Sequence, residues 1–142
     1  MPNFSGTNFS TTDPLKPSPG SSVDAAVRSH REVFNTTTHT LSGTVNGAIA
    51  ARLREGNSVR AVRMKSDANL SAINFTIGVV GALTKYGAAQ LGGAAGVMKE
   101  FEINITALDD DPLVTPEDII ITPAAAWPAG AVVITYVDVT KR

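Results

Sequence analysis

Short runs in which apolar and polar residues alternate recur along most of the chain. In the clearest of them, residues 70–78, the apolar side chains of Ile73, Phe75 and Ile77 are each separated by one polar residue. Successive side chains of a β-strand point to opposite faces, so a period of two places these three on the same face. The pattern predicts a strand with one face toward a hydrophobic core.

Similar runs predict the other strands. Alternation, or enrichment in β-branched residues, marks residues 36–41, 48–54, 58–66, 99–106, 118–122 and 131–139. Residues 26–34 fit either a strand or a short helix, because their periodicity does not separate the two. Seven or eight short strands separated by turn residues indicate an all-β protein, either an antiparallel β-sandwich or a barrel.

Two neighbouring runs are joined by a turn signal. Gly56 lies between Glu55 and Asn57, and alternating residues precede and follow it, which predicts a β-hairpin. One face of each run is predicted to hold Ile49, Ala51 and Leu53 before the turn, and Arg60, Val62 and Met64 after it.

Residues 81–97 interrupt the alternation. They are rich in alanine and contain five glycines, and glycine in a helix interior costs about 1 kcal/mol relative to alanine. We therefore expect a connection here, with at most one short helix around residues 88–91.

The first 22 residues differ from the rest of the chain. Three prolines, Pro14, Pro17 and Pro19, fall within six residues and disfavour both helix and central strand, so an extended conformation is expected. Two interpretations stay open, a disordered tail and an arm that lies on a neighbouring subunit. Spaced apolar residues favour the arm, and its predicted partner contacts are Phe4, Phe9, Pro14, Leu15 and Pro17. The chain is thus divided into an extended N-terminal arm, residues 1–22, and a β-sandwich domain, residues 23–142.

The composition limits the kinds of function. Because the chain has no cysteine, disulfides, thiolate metal sites and a cysteine nucleophile are excluded. A net charge of −1 and 6% aromatic residues do not suggest a nucleic-acid-binding protein, which needs a basic surface or stacking aromatics. No stretch is long and apolar enough to span a bilayer, and the first residues lack the basic and apolar regions of a signal peptide. We expect a protein made in the cytoplasm, with neither a nucleic-acid nor a membrane partner.

Catalytic motifs are missing from the sequence. His30 and His39 have no neighbouring nucleophile, no Gly-x-Ser-x-Gly motif occurs, and the glycine-rich residues 92–96 match no phosphate-binding loop. Carboxylates cluster only at Asp109–Asp111, where adjacent side chains point in different directions, so a solvated turn is favoured over a calcium site. The sequence therefore predicts no enzymatic activity, no cofactor and no bound metal.

Charge is distributed unevenly along the chain. Residues 52–65 carry five basic side chains and one acidic, whereas residues 100–118 carry seven acidic and no basic side chain. The two segments either meet within one subunit as solvated strand faces or bind complementary surfaces of other subunits. Under the second interpretation the predicted contact residues are Arg52, Arg54, Arg63, Lys65, Asp109, Asp110 and Asp111.

The aromatic side chains allow one further interpretation. Trp127, between Ala126 and Pro128, fits either a core position or a plug in an interface. Together with Tyr86 and Tyr136 it is also a candidate for stacking on a sugar, although a sugar-binding groove usually has more aromatic residues. A carbohydrate-binding β-sandwich is therefore a less favoured alternative.

Residues 55–78 combine a glycine turn, a strand of the form Gly-x-x-Val-x-x-Val-x-x-x-Ser-Asp and a strand that ends in Ile-Gly. After a connection rich in small residues, the chain closes with a strand at residues 130–137. Over roughly residues 55–139, this order of turns and strands resembles small structural proteins encoded in the head modules of tailed phages.

The resemblance implies a decoration protein, also called a cement protein. Such a protein would bind the outer surface of a bacteriophage capsid, stabilise contacts between major capsid protein subunits and often form a homotrimer. A head–tail adaptor or a tail or fibre adaptor of the virion is the alternative with a similar build.

Overall fold

The computed structural model describes residues 27–39, 41, 43–104 and 113–141. In these residues it contains eight β-strands and no helix, hence no helix able to cross a membrane. The strands are β1 (Val27–Asn35), β2 (Ala48–Leu53), β3 (Asn57–Ser66), β4 (Asn74–Val79), β5 (Ala82–Leu91), β6 (Lys99–Phe101), β7 (Glu117–Pro123) and β8 (Val132–Lys141). The predicted arm, with Phe4, Phe9, Pro14, Leu15 and Pro17, and the acidic run Asp109–Asp111 lie outside the described residues.

The eight strands form two antiparallel sheets of four strands each. Sheet I has the order β1-β8-β3-β6, and sheet II has the order β2-β7-β4-β5. In both sheets strands that are distant in sequence lie side by side, as β8 does between β1 and β3. The predicted all-β architecture is confirmed, and of the two alternatives the structure is the sandwich-like one.

The hydrophobic core is built from the inward-facing residues of both sheets. Sheet I contributes Val62 and Met64 from β3, and sheet II contributes Phe75 and Ile77 from β4; each of the four is at most 1% exposed. Burying one such side chain stabilises the fold by about 1.5–3 kcal/mol. The core positions predicted for Phe75 and Ile77 are therefore confirmed, and Ile73 packs at the core margin.

The predicted hairpin at Gly56 is wrong. Gly56 does form a turn, with a φ of 84°, but β2 pairs with β7 in sheet II while β3 pairs with β8 and β6 in sheet I. The chain crosses from one sheet to the other at this turn, where the Gly56 amide donates to the Leu113 carbonyl oxygen at 2.9 Å. A glycine turn shows where the chain reverses, but not whether the strands that flank it are hydrogen-bonded to each other.

Two β-bulges change the faces predicted for β2 and β3. One lies between Ile49 and Ala51, and as a result Ile49 is 38% exposed while Ala51 and Leu53 are buried. The other lies between Val59 and Ala61. A bulge adds one residue to one strand and so reverses the alternation beyond it. The predictions for Ile49 and Arg60 are therefore wrong, whereas those for Ala51, Leu53, Val62 and Met64 are right.

The predicted connection at residues 81–97 contains a ten-residue strand, β5. This strand pairs with β4 through a tight turn at Gly81, where φ is 84°. At Gly78 the two strands approach so closely that a Cβ atom would lie 2.2 Å from the Ala82 carbonyl oxygen. Small residues here serve the close packing of a hairpin, and their low strand propensity is overridden by pairing with β4.

The strand predicted for residues 36–41 is a turn in its described part. The amides of Thr38 and His39 donate to the Asn35 carbonyl oxygen at 3.1 and 2.9 Å. Thr36 is fully buried, and its hydroxyl donates to the Pro128 carbonyl oxygen at 2.7 Å and accepts from the Ala131 amide at 2.9 Å. These side-chain bonds end β1 and tie the turn to the loop before β8, which is how threonine competes with regular strand pairing.

Candidate functional site

Two side chains of the described residues with shifted pKa values, Tyr86 and Glu117, meet at the start of β7. The Glu117 carboxylate accepts hydrogen bonds from the Tyr86 hydroxyl, at 2.5 Å, and from the Lys85 ammonium. Burial raises the pKa of Glu117, but these two hydrogen bonds and the charge of Lys85 outweigh it, and the net shift is downward. Burial, followed by the hydrogen bond and the charge of Glu117, raises the pKa of Tyr86.

The Glu117 cluster links β5 to β7 across the end of sheet II, because Lys85 and Tyr86 belong to β5. Sequence patterns missed it, since Tyr86 falls in the segment predicted to be a connection. Tyr86 is 2% exposed, and its hydrogen bond to Glu117 ties β5 to β7, so this arrangement stabilises the sheet. Among the described residues, no group of three or more His, Asp or Glu side chains could hold a metal ion.

Two of the basic residues predicted to contact a partner form ion pairs within the subunit. Arg52 lies opposite Asp118 on neighbouring strands, with 3.7 Å between Nε and Oδ1. The Arg63 guanidinium lies 2.6 Å from the Asp138 carboxylate and 5.6 Å from the centre of the Tyr136 ring. Of these two pairs, only Arg52–Asp118 joins the basic segment to the acidic segment within one subunit, as in the first interpretation; Asp138 lies outside the acidic segment.

Arg54 lies in a different environment. With Arg28, His30 and Arg52 it lines a groove of about 220 Å³, whose other lining residues are Glu55, Asn57 and Val139. We call it the basic groove. Among the described residues neither Arg28 nor Arg54 has an ion-pair partner, so this groove presents cationic charge to solvent. No sequence pattern marks Arg28 as part of this groove, because only the pairing of β1 with β8 brings it near β2.

Strand β1, which carries Arg28, is an unusually exposed element. It pairs with β8 over all nine residues, from Val27 to Asn35, and it is the edge strand of sheet I. Most of its residues are exposed on both faces. Charged residues such as Arg31 and Glu32 are typical of an edge strand, since they hinder unspecific strand addition.

Lys65 is separated from the other predicted basic residues. It lies near the end of β3, whereas the basic groove lies at the beginning of that strand, beside Asn57. Lys65 lines an apolar groove of about 310 Å³ together with Met98 and Ile134. The structure therefore divides the predicted basic face into three parts: the basic groove with Arg52 and Arg54, the Arg63–Asp138 pair, and Lys65 beside the apolar groove.

Trp127 lies in the core of the subunit. It is 2% exposed, its ring centre lies 5.4 Å from that of Phe75, and its indole N–H donates to the Asn46 carbonyl oxygen at 2.8 Å. Of the two placements considered, core and interface, the structure shows the core, because the ring fills the space between the sheets. Since Tyr86 is buried as well, two of the three candidate sugar-stacking rings offer no exposed face.

Comparison with known proteins gives a likeness of fold. No protein-family model matches the chain, and no curated protein is significantly similar to it. A chain in the capsid of Ralstonia phage GP4 has a TM-score of 0.56 at 12% identity, with 89% of this chain and 90% of that chain covered. A chain in the acid-stable capsid of Helicobacter pylori bacteriophage KHP30 has a TM-score of 0.55 at 10% identity, with coverage of 80% and 86%.

A third similar chain belongs to the capsid asymmetric unit of cyanophage Pam1. It has a TM-score of 0.54 at 19% identity, and both chains are covered completely. The three solved structures are all phage capsids, so the resemblance to phage-head proteins predicted from the sequence is confirmed at the level of the fold.

Proposed function

We propose that this chain is a structural protein of a phage virion, which binds the outer surface of the capsid and stabilises contacts between major capsid protein subunits. The observation that carries the proposal is the fold shared with chains of three phage capsids over 80–100% of this chain. The shared fold supports a place in the virion, and the surfaces of the subunit support a contact role within it.

The architecture suits a structural protein that acts by binding neighbouring subunits. The two sheets enclose a close-packed core, and close-packed interiors deform little under load. The contacts proposed for this chain lie at its periphery, in the basic groove and in the N-terminal arm of residues 1–22. A modest contact repeated over many copies on a lattice adds up through multivalency.

The basic groove is the described surface best suited to an acidic partner. Arg28 and Arg54 have no ion-pair partner among the described residues, and a surface with an excess of cationic charge is complementary to an acidic one. We propose that it contacts carboxylates of the lattice. We propose that the acidic residues Asp109–Asp111 bind basic groups of a neighbouring copy, and that the copies form a homotrimer.

The direct test is binding to capsids that lack this chain. Full-length protein is mixed with capsids assembled from the major capsid protein of the same genome, and bound copies are counted by cryo-electron microscopy. Hundreds of copies on the outer surface are expected. Six or twelve copies at one vertex would instead support the head–tail or tail adaptor, and no bound copy would refute a capsid-surface role.

A charge reversal tests the groove itself. The double substitution Arg28→Glu with Arg54→Glu is expected to weaken capsid binding at least tenfold and to flatten its dependence on salt concentration, because screened attraction is lost. Arg31→Glu is the matched control, since Arg31 is an exposed residue of the same strand that does not line the groove. Equal losses for control and double variant would exclude the groove as the contact.

A further inference from the structure

The outer face of sheet I is apolar along its central strand. In β8, Thr135 is fully buried in the core, whereas the alternate residues Val132, Ile134 and Tyr136 point away from it and are only half-buried. A strand of an antiparallel sheet with one solvated face normally carries polar residues on that face. The outward residues of β8 therefore match a strand that is covered on both sides.

Neighbouring strands extend this apolar surface. The register places Val33 of β1 and Lys65 of β3 on either side of Ile134, and Val33 and Met98 are 42% and 40% exposed. Here lies the apolar groove of about 310 Å³, which we call the β8 groove; its lining residues are Lys65, Ser66, Asp67, Gly96, Met98, Val132, Ile134 and Tyr136. Its shape and lining suit an inserted apolar side chain, with Met98 and Tyr136 favourable partners for an aromatic ring.

The chain itself contains a segment with suitable side chains. Residues 1–22 carry Phe4, Phe9 and Leu15 at intervals of five and six residues, and burying the apolar surface of such side chains is favourable. Four residues, 23–26, separate this segment from sheet I, whose strand β1 begins at Val27. The 26 residues before Val27 span up to roughly 85 Å when extended, which is enough to reach the sheet of an adjoining copy.

The direction of β1 favours the groove of another copy. The β8 groove lies near the Val33 end of β1, whereas the preceding chain enters at Val27, about 20 Å away along the strand. To reach the groove of its own subunit, the segment would have to reverse direction. A contact with the groove of another copy requires no such reversal.

We propose that the β8 groove receives a phenylalanine, Phe4 or Phe9, from the N-terminal arm of a second copy of this chain. Each copy then donates one arm and accepts another. A head-to-tail contact of this kind closes into a ring when the rotation between copies permits, and a three-membered ring is the homotrimer expected from the sequence. The proposal deepens the arm's role in the proposed function by naming its partner and acceptor surface.

Site-specific cross-linking tests the contact in the purified full-length protein, without any capsid. The chain has no cysteine, so single cysteines can be introduced beside the anchors, as Ser5→Cys or Ser10→Cys, and beside the groove, as Val97→Cys. Val80→Cys is the matched acceptor control, because Val80 is an exposed valine on the β4–β5 turn; Val97 and Val80 are 53% and 82% exposed. Copies carrying a donor cysteine are mixed with copies carrying an acceptor cysteine and treated with a short bismaleimide.

We expect at least one donor to give a covalent heterodimer with Val97→Cys at five or more times its yield with Val80→Cys. Adding Ile134→Lys to the acceptor copy should bring the yield down to that of the control. Equal yields for the two acceptors, or a yield unaffected by Ile134→Lys, would overturn the proposal. The proposal would also be overturned if a chain carrying both cysteines formed only intramolecular cross-links at every protein concentration. Since no capsid is present, failure here is distinct from failure of capsid binding.

Discussion

At the scale of single residues, the polar contact with the clearest consequence is the carboxylate of Glu117. It accepts hydrogen bonds from Lys85 and Tyr86, and its pKa in the folded protein lies below the ordinary value of 4.5. The folded state therefore binds a proton less readily than the unfolded state. The resulting stabilisation is complete above the unfolded-state pKa and is lost as pH falls through the folded-state pKa.

Glu117→Gln should lower the free energy of unfolding at pH 7, because a hydrogen bond to a charged group contributes about 1.5–3 kcal/mol. The difference between the wild-type protein and this variant should shrink as pH falls below about 4.5 and vanish below the folded-state pKa, where both proteins carry a neutral group. Urea unfolding between pH 3 and 7 measures it. Glu100→Gln, on the exposed face of β6, is the control, and a difference that stays constant with pH would contradict the assignment.

Trp127 gives a second prediction at this scale. Trp127→Ala should destabilise the fold by about 3–5 kcal/mol because it empties a space between the sheets. Trp127→Phe keeps a ring there but leaves the Asn46 carbonyl without its donor, and it should cost roughly 1–3 kcal/mol. Thermal unfolding measures both. Because the side chain is buried in its own subunit, Trp127→Phe should leave capsid binding unchanged; a folded variant that binds more weakly would revive the interface role.

At the scale of elements, the β4–β5 hairpin shows how packing overrides local preference. The segment of β5 is rich in alanine and glycine, yet it forms a strand because β4 provides its partner and Gly78 allows the close approach. The bulges in β2 and β3 are a second case, since each turns one predicted inward residue out of the core. Both effects depend on the neighbouring strand.

Gly78→Ala should therefore destabilise the hairpin more than an ordinary glycine substitution. Its Cβ would lie within 2.5 Å of backbone atoms of Ala82 and Leu83, and overpacking of this kind costs about 1–3 kcal/mol. Amide hydrogen exchange should become faster throughout β5. Gly43→Ala is the control, because Gly43 has a φ of 68° but nothing lies close enough to clash with an added Cβ. In this control variant the β5 amides should exchange as fast as in the wild type. Unchanged exchange in Gly78→Ala would refute the role of the close approach.

At the scale of the whole molecule, the described part of the chain has a continuous core between its two sheets. Its buried residues run from Leu41 to Val139, and the surfaces proposed for contact lie outside it. The basic groove lies near the beginning of β1, at Arg28, and the β8 groove lies near the other end, beside Val33. One subunit can therefore contact an acidic lattice and a second copy without competition between the two surfaces.

Deletion of residues 1–22 should leave the domain folded and weaken its assembly onto the capsid. The free energy of unfolding should change by less than about 1 kcal/mol, as for changes remote from core features. Circular dichroism and urea unfolding check the fold, and co-sedimentation with capsids lacking this chain measures the binding. Full-length protein with Lys16→Ala serves as a control that keeps the apolar anchors. Unchanged binding of the truncated protein would refute the role of the arm.

The alternation of residues was sufficient to determine the all-β class, most of the strands and the core positions of Phe75 and Ile77, because a strand's period depends only on neighbours along the chain. The uneven distribution of charge singled out Arg54 and Lys65, which are exposed; their roles, like those of the arm residues and Asp109–Asp111, stay predictions. Trp127 remained ambiguous, since burial depends on what surrounds a side chain.

Only the tertiary structure decided which strands pair, where bulges shift the faces, and that residues 82–91 form β5. These features depend on partners far away in sequence. The same holds for the two grooves: the basic groove exists because β1 pairs with β8 and lies near β2, and the β8 groove exists because β1, β3 and β8 place Val33, Lys65 and Ile134 in one row. Local periodicity determines which residues face inward, whereas long-range pairing determines which surfaces are assembled.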